Sequence, residues 1–211
     1  MSLPIDALVH VWEPPSGDPR SILALHGRGG NEHDLIPVAK QIAPGAGVLA
    51  PRGPEPQSPG GWAWFTHHGI GVPVIASFDA CLDQVARWIV TAATAYGIAL
   101  PMTALGFSNG GMMAGALVAA RPDLVDSAIL MASGYRLPDH IAALGGLAGR
   151  RILICGGDED SFHTRQMMDE GVRSYTSAGA RVDARVYRGV GHMITLEQVR
   201  DAAQWLTEAS V

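Results

Sequence analysis

A serine, Ser108, stands at the centre of a G-x-S-x-G pattern over residues 106–110 of this 211-residue chain. The pattern directly follows the apolar run 102–107 and directly precedes a run of small apolar residues, the order typical of a strand followed by a helix. At such a junction the serine occupies a sharp turn, and its oxygen projects beyond the sheet edge. The glycines have no Cβ, so strand and helix can approach closely. This context favours a serine nucleophile for acyl transfer over a glycine-rich turn with an incidental serine.

A serine nucleophile needs a general base, and three histidines follow Ser108 along the chain: His140, His163 and His192. His192 lies in a glycine-rich loop between a predicted strand that ends at Tyr187 and the last predicted helix. A loop beyond a strand end lets an imidazole reach the nucleophile. His140 falls in a candidate insertion, and His163 is close in sequence to the acid candidates. His192 is therefore the predicted base.

The orienting acid is expected between the serine and the base, where Asp158, Glu159 and Asp160 follow the apolar run 151–155. Adjacent like charges raise one another's pKa, so burying all three carboxylates is costly. One of them is expected to turn toward the imidazole, while the others face solvent or cap the next helix. Spacing alone leaves both Asp158 and Asp160 open as the orienting acid.

Two backbone N–H groups are the predicted donors to an oxyanion. One belongs to Asn109, directly after the serine at the start of the predicted helix. The other lies in the loop after an earlier strand, where residues 25–30 read Leu-His-Gly-Arg-Gly-Gly and let the N–H near Arg28 turn inward. The chain contains neither GxGxxG nor GxxxxGK, which disfavours a phosphate-binding loop.

Runs typical of strands alternate with helical periodicity along the chain. Strands are predicted at residues 7–12, 21–26, 47–50, 102–107, 126–132, 151–155 and 181–187. Helices are predicted at residues 32–42, 75–96, 109–120, 164–177 and 195–206. Thr195 and Gln198 form a capping-box pattern at the start of the last helix. The alternation predicts one α/β domain over residues 1–211, with a mostly parallel central sheet flanked by helices and no large lid domain.

Two segments interrupt this alternation. Residues 51–73 are rich in proline and glycine and contain three large aromatic residues, so they are predicted to form a long loop that packs onto the rest of the chain. Residues 134–149 are the one candidate for a small insertion.

Composition limits the classes of partner. The chain has 15 Lys and Arg against 20 Asp and Glu, a formal net charge of −5, and no basic run, which disfavours nucleic acid and anionic membranes as partners. No uninterrupted apolar stretch reaches about 18 residues, so no membrane span is predicted. Asp6 and His10 interrupt any signal-peptide pattern, and Cys81 and Cys155 are predicted to be reduced thiols. We therefore expect a cytoplasmic protein.

Several segments, in this order, resemble the phospholipase/carboxylesterase family of small α/β-hydrolases, which includes bacterial carboxylesterases and acyl-protein thioesterases. They are residues 25–30 with 33–34, 50–53, 64–65, 106–111, 157–160 and 191–192. The resemblance covers nearly the whole chain and implies the α/β-hydrolase fold, with Ser108 as nucleophile, His192 as base and Asp160 as orienting acid. It also implies the N–H groups of Arg28 and Asn109 as the oxyanion hole. Such chemistry needs no cofactor, and no metal-ligand spacing is present.

Two positions depart from the family pattern. The residue after the serine is usually glutamine and is Asn109 here, which should change little because its role is through the backbone. The segment after the acid reads Ser-Phe-His-Thr at residues 161–164, where the family usually has a Pro-hydrophobic-Val-Pro-like segment.

We expect a serine carboxylesterase that hydrolyses short- to medium-chain esters through an acyl-enzyme. Without a lid domain the acyl pocket should be apolar and open. Its candidate walls are Trp64, Phe65, Phe162 and Met193, with Trp62 and Leu137. Ordinary packing is the alternative for each of these side chains, and exposed aromatic and methionine patches would instead indicate a homodimer surface. A thioesterase or lysophospholipase would use the same residues. A non-catalytic ligand-binding module of the same fold is disfavoured by the complete Ser, Asp and His set.

Overall fold

The computed structural model describes residues 8–208. The strands are β1 (His10–Glu13), β2 (Ser21–Leu25), β3 (Gly47–Pro51), β4 (Glu55–Pro56), β5 (Trp62–Ala63), β6 (His67–Gly69), β7 (Val72–Pro73), β8 (Met102–Phe107), β9 (Val125–Met131), β10 (Arg151–Gly157) and β11 (Arg181–Tyr187). The helices are α1 (Ile36–Ile42), α2 (Ile75–Tyr96), α3 (Asn109–Ala120), α4 (Asp139–Ala142), α5 (Arg165–Ser177) and α6 (Leu196–Glu208).

Seven strands form the central sheet, in the order β1-β3-β2-β8-β9-β10-β11. β1 pairs antiparallel with β3, and every other neighbouring pair is parallel. Parallel strands need crossover connections, and helices supply most of them here. The mostly parallel sheet flanked by helices that the sequence predicts is confirmed, and no segment of residues 8–208 forms a large lid.

Alternating side chains of each strand divide the core between the two faces of the sheet. In β2, Leu23 and Leu25 belong to the cluster that contains residues of α2, α3 and α5. Ile22 and Ala24 belong to the opposite cluster, which contains residues of α1 and α6. All four side chains are almost fully buried. Burial on both faces explains why these strands read as continuous apolar runs.

Local sequence signals mark the ends of several helices. Gly97 adopts a left-handed conformation (φ 67°) and ends α2, as the sequence predicts. The capping box also forms, because the N–H of Thr195 donates to Gln198 Oε1 (2.7 Å) and the N–H of Gln198 donates to Thr195 Oγ1 (3.3 Å). The predicted helix over 32–42 begins only at Ile36, because Asn31 and Asp34 side chains accept N–H groups of the preceding turn.

The boundaries of five strands, β1, β2, β3, β9 and β10, differ from prediction by one to three residues. β1 is shorter at its start than the predicted 7–12, of which residue 7 lies outside the described residues. β9 ends at Met131 because Ala132 has a positive φ of 44°. The segment 51–73 is not a plain loop, since β4–β5 and β6–β7 form two small antiparallel pairs within it.

Both cysteines are buried free thiols, and burial raises the pKa of Cys81 to about 12. Within the part of the chain that the structure describes, no helix is long and apolar enough to cross a membrane.

Candidate active site

Ser108 occupies the turn between β8 and α3 in a conformation that L-residues rarely adopt. Its φ is 51° and its ψ is −116°, a strain that persists only where surrounding contacts enforce it. The N–H of Ser108 donates to the carbonyl oxygen of Met131 (3.0 Å), and the hydroxyl of Ser133 donates to the carbonyl oxygen of Ser108 (2.9 Å). These bonds fix the turn at the carboxyl end of β8 and β9.

Gly106 and Gly110 let the strand and the helix approach on either side of Ser108. A Cβ on Gly106 would lie 2.5 Å from the carbonyl oxygen of Gly110. A Cβ on Gly110 would lie 2.1 Å from the carbonyl oxygen of Leu25 in β2. The atoms met are backbone atoms, which cannot rotate away, so the strained turn depends on glycine at both positions.

We expect Gly110→Ala to lower the free energy of unfolding by roughly 3 kcal/mol, because the added methyl forces α3 away from β2. Gly60→Ala is the matched control, since a Cβ there meets no atom within 4 Å. We expect that change to stay within about 0.5 kcal/mol. Urea unfolding followed by tryptophan fluorescence measures both. Equal stabilities of the two variants would contradict the close approach at Gly110.

His192 lies between Ser108 and Asp160. Its Nε2 is 2.9 Å from Ser108 Oγ, and its Nδ1 is 2.7 Å from Asp160 Oδ2. Because a carboxylate only accepts, the network places the imidazole proton on Nδ1 and leaves Nε2 to accept the serine proton. The Asp160 side chain is fully buried, whereas the His192 side chain is 21% exposed. The arrangement can therefore take a proton from the serine and stabilise the resulting imidazolium.

The two acid candidates have different partners. Asp160 uses Oδ1 to accept the N–H groups of Phe162 and His163, both at 2.8 Å, which leaves Oδ2 for the imidazole. Asp158 is exposed and accepts the N–H of Gly189 at 2.7 Å. Asp160 thus faces the imidazole of His192. Asp158 instead connects the end of β10 to the loop that carries His192.

Two aromatic rings flank the imidazole of His192. The centroids of Phe107 and Phe162 lie 5.0 and 5.1 Å from its centroid. Phe107 ends β8, directly before the nucleophile candidate, and Phe162 follows the acid in the segment that departs from the family pattern. Their packing limits rotation of the imidazole and so keeps both of its nitrogens aligned.

The other two histidines that follow Ser108 along the chain, His140 and His163, make no hydrogen bond with it among the described residues. His163 is buried with its ring against Tyr135, 4.7 Å between centroids, and burial lowers the pKa of His163 to about 4. Its backbone N–H, rather than its ring, contacts the acid. His140 lies at the surface, where its Nε2 is 2.9 Å from Asp79 Oδ1.

Two N–H groups next to Ser108 are free to face an oxyanion. Asn109 is the first residue of α3, and the first N–H groups of a helix have no partner within it. In the loop after β2, the N–H groups of Gly29 and Gly30 donate to carbonyl oxygens of the protein. No such bond is present for the N–H of Arg28 within residues 8–208. Arg28 and Asn109 both line the same cavity as the serine.

Buried hydrogen bonds of His26 hold the loop that carries Arg28 in place. Its Nε2 accepts the N–H of Gly53 (2.9 Å), and its Nδ1 donates to the carbonyl oxygen of Gly27 (2.7 Å). The indole N–H of Trp64 donates to the carbonyl oxygen of His26 (2.8 Å). Burial lowers the pKa of His26, which favours the neutral imidazole that these bonds require.

The side chain of Asn109 has a positioning role that the sequence does not predict. Its Oδ1 accepts the N–H of Trp64 (2.9 Å), and its Nδ2 lies 2.8 Å from Nε2 of His67. Because a backbone N–H can only donate, it fixes which end of the amide faces each partner. The residue after the serine therefore also ties α3 to the segment 51–73.

A cavity of about 220 Å³ opens at Ser108. Its apolar walls come from Phe107, Met112, Tyr135 and Phe162, and the turn of the β6–β7 hairpin closes one side. The polar residues Arg28, Asn109, His67 and His192 also line it.

The structure places three of the four predicted wall residues elsewhere. Phe162 lines the cavity, but Trp64 and Phe65 are fully buried, the latter with its ring edge against Phe78 at 4.8 Å. Met193 is 55% exposed and lies outside the cavity lining. Two further candidates, Trp62 and Leu137, also lie outside it. Trp64 and Phe65 pack into the core because the β4–β5 and β6–β7 pairs on either side of them turn their side chains inward. The turn of the β6–β7 hairpin forms the cavity wall instead.

No group of three or more His, Cys, Asp or Glu side chains that could hold a metal ion occurs among residues 8–208.

Comparison with known proteins decides the family. A model of the α/β hydrolase fold matches residues 20–175, which is most of the chain. The chain belongs to the α/β-hydrolase family. It is 30% identical over 209 residues to "Putative hydrolase MhqD" of Bacillus subtilis (strain 168), a match that covers 96% of this chain and 99% of that protein.

Two solved structures extend the likeness of this α/β-hydrolase. The carboxylesterase of Bacillus cereus is 25% identical with a TM-score of 0.85, covering 96% of this chain and 94% of that one. The carboxylesterase of Mesorhizobium loti is 29% identical with a TM-score of 0.79, covering 91% and 90%. These likenesses fit the phospholipase/carboxylesterase family that the motifs predict.

Proposed function

We propose that this α/β-hydrolase is a serine carboxylesterase that cleaves short- to medium-chain esters on one domain spanning the chain. The observation that carries the proposal is the continuous hydrogen-bonded path from Ser108 Oγ through His192 to Asp160, 2.9 and 2.7 Å long at its two contacts, beside an open cavity. A nucleophile, a base and an orienter in this order are the parts that acyl transfer needs.

In the first half of the reaction, Ser108 Oγ attacks the ester carbonyl while His192 Nε2 takes its proton. The imidazolium then forms beside the buried carboxylate of Asp160, which stabilises its positive charge. The imidazolium next protonates the departing alcohol, which leaves an acyl group on the serine. In the second half, water gives its proton to the same imidazole and attacks the acyl group, and the acid leaves as Ser108 regains its proton.

The N–H groups of Arg28 and Asn109 hold the negative oxygen that develops in both halves. Removing one such donor costs about 3–4 kcal/mol of transition-state stabilisation in other serine hydrolases. Both donors are backbone groups here, so their positions depend on the glycine-rich loop 27–30 and on the start of α3. The bonds of His26 and the Asn109 side chain hold those two segments in place.

The cavity supports the chain-length limit. Its volume of about 220 Å³ is below the roughly 300–1,000 Å³ of pockets that enclose drug-sized ligands, so it holds a short acyl group within the protein. A longer chain would leave the cavity past the hairpin turn, where Ile70 is 48% exposed.

Hydrolysis of p-nitrophenyl esters with acyl chains of two to sixteen carbons tests this proposal. We expect the highest kcat/KM at about four to eight carbons, because longer chains leave part of their apolar surface in water. Matched oxo- and thioesters of the best acyl group form the second arm. A maximum at sixteen carbons would contradict the short acyl pocket, and a clear preference for thioesters would assign the enzyme to thioesters instead.

A further inference from the structure

Arg28 carries the permanent positive charge of the cavity. The cavity lining contains no aspartate or glutamate among the residues that the structure describes. Apart from Arg28, its titratable side chains are Tyr135 and the imidazoles of His67 and His192. Arg28 is exposed, and it is the one residue with a permanent charge in this lining, so a charged group of a bound ester would meet a cation and no carboxylate there.

Several arginines near Arg28 or elsewhere in the described residues are held by carboxylates, whereas the Arg28 side chain, like that of the surface residue Arg87, has no such partner. Arg52 forms two hydrogen bonds with Glu32, and Arg20 is held by Asp18. Within residues 8–208, the Arg28 side chain takes part in no hydrogen bond and no ion pair. Glu32 is occupied by Arg52, a contact that lowers the pKa of Glu32 to about 2. Among the residues that the structure describes, the guanidinium is left without an anionic partner.

The charge of Arg28 affects the pKa values of two other residues that line the cavity, His67 and Tyr135. The pKa of His67 is lowered, chiefly by burial and also by the nearby charge of Arg28. Burial and the charge of Asp160 raise the pKa of Tyr135 to about 12, and Arg28 acts in the opposite direction there. The charge of Arg28 therefore acts on residues of both the hairpin side and the Tyr135 side of the cavity.

His67 lines the same cavity and carries a hydrogen-bond donor. The N–H of Trp64 fixes Asn109 Oδ1 as an acceptor, so Asn109 Nδ2 donates to His67 Nε2. The remaining nitrogen, Nδ1, then carries the imidazole proton. His67 and Arg28 together offer only donors, and a planar guanidinium suits a carboxylate in particular.

We propose that Arg28 and His67 form an anion subsite that binds a carboxylate carried by the ester substrate. The substrate class is then anionic esters, such as monoesters of short dicarboxylic acids or acyl esters of short hydroxy acids. This inference rests on the proposed esterase function, since it assigns a substrate class to the same site. Arg28 acts twice: its backbone N–H faces the oxyanion, and its side chain selects the substrate.

The test uses two pairs of esters of similar size, with hydrolysis followed by proton release. Monoethyl glutarate against ethyl valerate places the carboxylate on the acyl part. Carboxymethyl butyrate against ethyl butyrate places it on the alcohol part. In at least one pair we expect wild-type kcat/KM to favour the anionic ester about tenfold or more, mainly through KM, as a charge-assisted contact predicts. The pair that shows the preference identifies which part carries the anion.

Arg28→Gln should remove most of this preference, and Arg28→Lys should keep part of it. The readout is the ratio of kcat/KM within a pair, because any shift of the backbone donor at residue 28 affects both esters alike. Arg87→Gln, an exposed arginine outside the cavity lining, is the control and should leave the ratio unchanged. A ratio near one in the wild type, or an equal ratio in wild type and Arg28→Gln, overturns the subsite while leaving the esterase proposal intact.

Binding of glutarate to the Ser108→Ala protein, measured by isothermal titration calorimetry, tests the subsite independently of turnover. Glutaramide, its uncharged analogue, is the matched ligand. We expect glutarate to bind about tenfold more tightly than the diamide, and this difference should vanish when Arg28→Gln is added. If no ester is hydrolysed but this difference is found, the esterase proposal fails and the anion subsite stands. Equal binding of the two ligands overturns the subsite.

Discussion

Ser108→Ala is expected to lower kcat for the best p-nitrophenyl ester by about 10⁴-fold or more, the scale seen when a serine nucleophile is removed. The reason is structural: no other hydroxyl in the described residues makes a hydrogen bond with His192, so no group can take over the attack. Stopped assays over hours, with rates corrected for spontaneous hydrolysis, measure the residual activity. The KM of the Ser108→Ala variant should change little, since the cavity walls remain in place.

His192→Ala and the double variant complete this test. Groups that act as one unit are strongly non-additive, so the double variant should be about as slow as either single variant. Multiplied losses would mean that the two residues act independently, contrary to the 2.9 Å contact between them. Retention of more than about one-tenth of wild-type kcat in Ser108→Ala would contradict its role as nucleophile.

Asp160→Asn is expected to lower kcat by roughly 10⁴-fold, although the side chain keeps its size. Two backbone N–H groups, of Phe162 and His163, point at Oδ1 of Asp160, so an asparagine must place its carbonyl oxygen there. Its NH₂ group then faces Nδ1 of His192 in the position of Oδ2. Because two donors cannot pair, the imidazole proton moves to Nε2, which then cannot accept the proton of Ser108.

Asp158→Asn is the matched control for this prediction. Asp158 accepts one backbone N–H, that of Gly189, and an asparagine oxygen can do the same. We expect kcat within about threefold of wild type, since the imidazole keeps its proton on Nδ1. Both variants are measured side by side on one ester. Comparable losses of kcat in Asp158→Asn and Asp160→Asn would contradict the assignment of Asp160 as the orienting acid.

The sequence predicts those parts of the fold that depend on local pattern. Buried parallel strands read as continuous apolar runs, as residues 102–107 do, and caps such as Gly97 and Thr195 mark helix ends. The strand–turn–helix order around Ser108 likewise needs only local chemistry. Family resemblance then ranks Asp160 above Asp158, and the hydrogen bonds of the two carboxylates agree with that order.

Parts of the site that depend on long-range contacts are not predictable in this way. Trp64 and Phe65 look like pocket walls because aromatics in a glycine-rich loop have no periodicity to show which way they face. Their burial follows from pairing of the two hairpins and from the contact of Trp64 with Asn109, 45 residues away along the chain. The sequence likewise does not predict that Tyr135 lines the cavity, because this residue lies in the segment 134–149, which looks like an insertion.

The most direct test of this account is covalent labelling of Ser108. The protein is treated with a fluorophosphonate ester, and its intact mass, its peptide map and its esterase activity are followed together. We expect one adduct per chain, located on Ser108, with activity lost in proportion to labelling and no adduct in Ser108→Ala. An adduct on another residue, or full activity in a chain labelled at Ser108, would contradict the serine esterase assignment.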